Sequence, residues 1–263
     1  MSKKKLLIIC IIVSIGIALI ATSLCFSFFN RDTNKSNTHG MIDGIDKGIL
    51  DVLEQNLLEE VICDEIDNLS FVVCKGFCDG VRIYIQIETT MDRSSIDSIV
   101  IVSNSIEYQP DFVINMNDYS DNYNESDWLL VYNCINYNDL EKLNIVYNTI
   151  ESINIIVPAY HAKEVNIVEF FEEIDLQRII FGRTSTLITC NIIANIEGDS
   201  FQIVIDDEVV PVYVIAKEKM NYVLLVPTQI DETTAFTIIS NNEHGVEMRV
   251  PVNLSSISFE GID

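Results

Sequence analysis

The residues best suited to binding chemistry lie between Asn115 and Asp127. There Asp118, Asp121, Glu125 and Asp127 are interleaved with Asn115, Asn117, Asn122 and Asn124. Calcium takes roughly six to eight hard oxygen ligands, and a flexible acidic loop can supply them. The EF-hand pattern fails here because no glycine occupies its turn position. A solvated Asn/Asp-rich loop accounts for the same residues, so no metal ligand is assigned.

The other candidates are weaker. Cys74 and Cys78 invite a redox or metal reading, yet four residues of straight strand separate their Cα atoms by about 13 Å. A disulfide needs them within roughly 7 Å. With Cys63, Cys134 and Cys190 they make an odd set at irregular spacing, which is no disulfide framework. Both thiols are expected to be reduced and buried. His39, His161 and His244 fall in no metal-ligand spacing. No serine sits in a nucleophile elbow. The pairs Glu172-Glu173 and Asp206-Asp207 put neighbouring carboxylates on opposite faces of an extended chain. No catalytic, cofactor-binding or metal residue is expected.

The elements that carry these residues begin with a candidate anchor. Lys3, Lys4 and Lys5 precede an uncharged run from Leu6 to Phe29. At about 1.5 Å rise per residue that run is long enough to cross a bilayer as a helix. The lysines belong on the cytoplasmic side, which places the C-terminal region outside the cell. Ala21-Thr22-Ser23 resembles a signal-peptide cleavage site, but Leu24 to Phe29 extend the apolar run past it, so a retained anchor is expected. Leu24 before Cys25 is too large for a lipoprotein cysteine. Beyond Arg31 the chain carries 12 basic against 40 acidic residues, net −28. Such a field excludes nucleic acid as a partner and keeps an exported domain soluble. Heavy use of Ile and Asn fits an AT-rich bacterial genome.

Residues 30–41 read as a polar linker. Ile42, Ile45, Ile49, Val52, Leu53 and Leu57 recur at helical spacing, with Asp46, Asp51, Glu54 and Glu59 mostly elsewhere on the wheel, and predict an amphipathic helix over roughly 45–61. The period then changes to two. Strands at 71–78 and from Val81 flank Asp79-Gly80, a strong signal for a two-residue hairpin. That turn pairs Cys78 with Val81, Gly76 with Ile83, Cys74 with Ile85 and Val72 with Ile87. One face is then apolar, and the face with Lys75, Arg82, Tyr84, Gln86 and Glu88 is at least partly wet. Further strands are expected at 97–107, 128–136, 143–149 and 152–157. Pro158 and Ala159-Tyr160-His161 read as a crossing connection. From Ile174 on, about seven short β-rich runs are punctuated by Gly182, Gly198-Asp199, Asp206-Asp207 and Asn241 to Gly245, a pattern that suggests a sandwich. Trp128, the single tryptophan, is not set in an antibody-type Cys…Trp…Cys core.

The run GIDKGILDVLEQNLLEEV followed by SFVVCKGFCDGVRIYIQIE resembles the start of the ectodomain of unknown function found on Firmicute membrane proteins, often attached to anti-sigma factors. Asp79, Gly80, Arg82 and Tyr84 carry the turn-and-strand part of that resemblance, which covers about 45 residues. The stretch EEIDLQRIIFGRTSTLITCNI is similar to the immunoglobulin-like domain that commonly follows. Only Met1–Lys5 precede the anchor, so the resemblance implies the ectodomain and not the cytoplasmic part that holds a sigma factor.

The expected architecture is mainly β, with one transmembrane and one amphipathic helix and two β-sandwich-like extracytoplasmic domains. Its parts are a cytoplasmic tail at 1–5, an anchor at 6–29, a linker at 30–41, a helix-plus-sheet domain at 42–165 and an immunoglobulin-like sandwich at 166–263. The expected function is a membrane-tethered, non-enzymatic binding or envelope-signalling module whose partner is an envelope protein or wall component. The rival readings are a secreted-side cell-wall hydrolase and a calcium-stabilised surface stalk.

Overall fold

The computed structural model describes residues 45–63, 69–103, 105–133, 142–148, 151–167, 174–192, 200–241, 247–256 and 259–261. The expected anchor at Leu6–Phe29, the linker, His39, Cys134, Glu172-Glu173, Gly198-Asp199 and His244 lie outside the described residues. Among the described residues no helix is long and apolar enough to cross a membrane.

The fold is mainly β. The first half runs α1 (Lys47–Glu54), β1 (Glu59–Glu60), β2 (Ile62–Cys63), β3 (Val72–Cys78), β4 (Arg82–Glu88), α2 (Arg93–Ile96), β5 (Val100–Ser103), β6 (Ile106–Tyr108), β7 (Phe112–Asn115), β8 (Asp127–Asn133), β9 (Lys142–Tyr147) and β10 (Glu151–Ile156). The second half adds β11 (Lys163–Ile167), β12 (Ile174–Phe181), β13 (Thr186–Ile192), β14 (Ser200–Ile205), β15 (Glu208–Pro211), β16 (Tyr213–Glu218), β17 (Asn221–Val226), β18 (Ala235–Asn241), β19 (Glu247–Asn253) and β20 (Phe259–Gly261).

Four antiparallel sheets result. Two have the orders β1-β3-β4-β8-β7 and β2-β10-β9-β5-β6, and two have β16-β17-β13-β12-β11-β20 and β15-β14-β18-β19. The first pair encloses a core of Ile83, Ile85, Ile87, Leu130, Ile145 and Ile153. The second pair encloses Leu176, Ile188, Leu224, Phe201, Ile238 and Val250. Each half is thus a sandwich. In each, one short passage (59–63, then 208–218) leaves the edge of one sheet and joins the edge of the other. Strand β11 straddles residue 165 and pairs with β12, so the second sandwich takes its first strand from Lys163.

Helix α1 is shorter than the periodicity predicts. Asp46 caps its start by accepting from the Ile49 amide at 3.0 Å. Asn56, at φ 52, ends it. The Leu57 amide then reaches the Val52 carbonyl at 3.0 Å and the Asn56 amide the Leu53 carbonyl at 3.2 Å, the two bonds of a Schellman cap. Glu59 and Glu60 are thereby freed to pair with Gly76 and Lys75 as an edge strand.

The hairpin is corrected in register. Cys78 pairs with Ile83, Phe77 with Tyr84 and Gly76 with Ile85, so the loop holds Asp79 to Arg82 and not two residues. A shift of two keeps each side chain on its face. A bulge between Val73 and Lys75 then moves the pairing by one, so Val73, not Val72, opposes Ile87. Val72 consequently points outward, while Val73 joins the core.

The wet face is also corrected. Arg82 and Tyr84 have no exposed surface, and Gln86 is buried. Strand β4 is central in its sheet. Its outer face is covered by Ile49, Val52 and Leu53 of α1, which with Phe77, Tyr84, Leu129 and Val131 make a second apolar layer. The segment expected as one strand at 97–107 is a hairpin, β5 and β6, preceded by α2, whose cap is Asp92. Within the expected loop the chain forms the end of β7 and one 3₁₀ turn at Met116–Asp118.

Candidate functional site

Four residues that the hairpin signal brought together, Asp79, Gly80, Arg82 and Tyr84, form the centre of a buried polar cluster. Asp79 has no exposed surface. Its Oδ1 accepts from the Val81 amide at 2.8 Å and the Arg82 amide at 2.6 Å, which folds the turn. Its Oδ2 accepts from Thr184 Oγ1 at 2.7 Å and Ser185 Oγ at 2.6 Å, residues between β12 and β13. Its carbonyl accepts from the Arg183 amide at 3.0 Å. Tyr84 OH lies 3.2 Å from Thr184 Oγ1. Burial, followed by the Asp79 carboxylate, pushes the Tyr84 phenol far above its ordinary value.

Arg82 is the hub. Its two terminal nitrogens donate to both oxygens of Asp46, at 2.9 and 2.7 Å, and its Nε donates to Asn133 Oδ1 at 2.8 Å. Both partners in the ion pair have fully buried side chains. The guanidinium lies 5.6 Å from the ring centroids of Phe112 and Tyr213, within reach of the ring quadrupoles. Burial opposes the Arg82 charge, but the Asp46 carboxylate more than offsets it, and the group stays a cation. This bidentate fork is geometry that lysine cannot supply. Burial raises the Tyr213 phenol, and Asp46 adds to the shift.

Two glycines are required by this packing. Gly80 has φ +94, and a Cβ there would sit 2.4 Å from Ala162 Cβ. Gly48, in the first turn of α1, lets the helix approach so closely that a Cβ would meet the Thr184 carbonyl at 2.8 Å. A glycine inside an otherwise regular helix signals such an approach. The sequence shows Gly48 only as a residue of low helix propensity, and it is the one local signal from which a close neighbour at the helix start could be read. Ser185, Asn133 and Tyr213 carry no local signal.

The remaining candidates do not converge. Asp118, Asp121 and Glu125 are exposed, and Asp127 is buried at the start of β8, accepting from the Asn124 amide at 2.8 Å. Asn115 accepts from the Asn117 amide and donates to the Glu125 carbonyl, so the loop's oxygens close its own turns. Among the described residues no group of three or more His, Cys, Asp or Glu could hold a metal ion. Asp206 and Asp207 form a surface turn, and His161 is exposed. Cys74 and Cys78 are free thiols. Cys78 is buried and pushed up to about 12 by that burial; Cys74 is half-buried and raised for the same cause. Each carboxylate oxygen of Asp46 and Asp79 accepts at least one bond within the cluster. It joins helix α1, the β3–β4 hairpin and the turn between β12 and β13.

The fold therefore defines a two-sandwich β protein with a helix on one outer sheet face. No family model and no curated protein matches the sequence. Among solved structures the chain is similar to a conserved domain protein from Bacillus anthracis, at 11% identity and TM-score 0.46, over 76% of this chain and 92% of that one. It is similar to a type I pullulanase from Bacillus subtilis at 10% identity and TM-score 0.24, over 71% and 25% of the two chains. A marsupial T cell receptor follows at 9% identity and TM-score 0.19, over 76% and 98%.

Proposed function

We propose that this chain is a membrane-tethered extracytoplasmic module, held by its Leu6–Phe29 segment with the N-terminus cytoplasmic, that binds an envelope protein or wall component and performs no catalysis. The resemblance to the Firmicute ectodomain followed by an immunoglobulin-like domain supports this reading. One observation carries it: Asp79, Arg82 and Tyr84, the residues with most chemical capacity, are fully buried and engaged in internal bonds. What the surface offers instead is apolar and at an edge. Ile62, on β2 at the edge of its sheet, is 71% exposed and pairs with Ile156, 40% exposed, on the neighbouring β10. An exposed apolar residue on an edge strand, with an exposed apolar neighbour on the next strand, suits docking of an extended partner segment.

Two measurements on the full chain test the reading. Protease added to intact cells should digest residues 32–263, and full protection would contradict the topology. Isolated envelope material should retain the purified chain, lose it on Ile62→Asp, and release no soluble wall fragments. Fragment release abolished by replacing a carboxylate would favour a hydrolase.

A further inference from the structure

The covalent connection between the two sandwiches runs through residues 158–162, and it lies against the tip of the β3–β4 hairpin. The Cys78 amide donates to the Pro158 carbonyl at 2.8 Å, and the Tyr160 amide to the Cys78 carbonyl at 2.7 Å. From the same tip Val81, fully buried, inserts among Ile180, Leu187 and Leu225 on the outer face of the second sandwich. Beside it Asp79 takes three bonds from residues 183–185. Arg82 next to it holds the cap of α1 with one side of its guanidinium and stacks against Tyr213 of the second sandwich.

We propose that this tip is a weld. It makes the two sandwiches one mechanical body, so that displacement of the C-terminal sandwich reaches the N-terminal end of helix α1 and is not absorbed at residues 158–162. Two halves joined by a single connection ordinarily move relative to one another unless their contact is extensive. Here opening would take from Asp79 the Thr184 and Ser185 hydroxyls on its Oδ2 and the Arg183 amide on its carbonyl, and would expose Val81, a combined cost that opposes separation. The path of transmission is short. Tyr213 touches Arg82, Arg82 holds Asp46, and Asp46 holds the Ile49 amide. The inference goes beyond the binding reading and does not depend on which ligand is bound.

The test uses the full chain in detergent micelles. The unsubstituted protein should melt in one calorimetric transition and resist cleavage at 158–162. With Thr184→Val and Ser185→Ala combined, the transition should split in two and cleavage there should accelerate about tenfold or more. Two transitions in the unsubstituted protein would overturn the weld, as would a combined variant that melts as one and is cut no faster. Should that variant fail to fold, Tyr213→Ala decides the question. It lies in the other sandwich, yet it should raise hydrogen exchange at the Ile49 and Leu50 amides about tenfold. Unchanged exchange there would overturn the proposal.

Discussion

At Asp206-Asp207 the chain reverses in two residues on the surface, both at positive φ (50 and 66), and Ile205 pairs directly with Glu208. At Asp79-Gly80 only the glycine has positive φ, the loop is two residues longer, and the aspartate has no exposed surface. An aspartate at a hairpin tip thus has two fates. The exposed turn is solved by local backbone conformation alone. The buried one combines local bonds from the Val81 and Arg82 amides with bonds from residues about a hundred positions away, Thr184 and Ser185. Turn signals report where a chain reverses, and not what the reversal touches.

The largest expected effect is on the buried side. Arg82→Met would leave the Asp46 carboxylate buried and unpaired, which should cost about 3–5 kcal/mol in urea unfolding. Arg249→Met removes an exposed pair with Glu247 and should leave the melting temperature unchanged. Comparable losses at both would erase the distinction between the two regions.

Gly80→Val comes next. Positive φ and the close approach of Ala162 act together, and a loss of about 2–4 kcal/mol is expected by thermal unfolding. A loss under about 0.5 kcal/mol would mean the tip can rearrange freely.

Alkali should then probe the buried regions of both halves. Cys78 and Cys190 are each pushed up to about 12 by burial, from an ordinary value of 9.0. The folded state prefers the neutral thiol, so its contribution is complete below the ordinary value and drains as pH climbs through about 9 towards 12. The loss should reach on the order of 2 kcal/mol per thiol near pH 10.5, and Cys→Ser at either position should flatten the profile. A flat profile for the unsubstituted protein would contradict the burial of both groups.

The smallest effect belongs to the exposed turn. Replacing Asp206-Asp207 with Asn-Gly suits two positive φ values better, and should stabilise by about 0.5–1 kcal/mol. Destabilisation would show that these aspartates have partners of their own.

Much of the local structure was legible. The apolar positions Ile49, Val52 and Leu53 name the buried side of α1, and Asp79-Gly80 marks the hairpin tip. Two things were hidden. The bulge after Val73 shifts the register by one, and no residue type announces it. The alternation that made Arg82, Tyr84 and Gln86 look wet is that of a strand with one solvated face, whereas α1 and the second sandwich cover the other face here. Such a strand can hold polar side chains only if long-range partners exist, and Asp46, Asn133 and Thr184 are spread across the chain.

The central claim, that the polar residues of the hairpin serve the fold through one buried pair, is tested most directly by a double-mutant cycle. Urea unfolding would be measured for the unsubstituted chain, Asp46→Asn, Arg82→Met and the two combined. Each single change should lose about 3–5 kcal/mol, and the combined variant should lose no more than the worse single, giving a coupling of about 3 kcal/mol. Losses that simply add, with coupling under about 0.5 kcal/mol, would contradict the account.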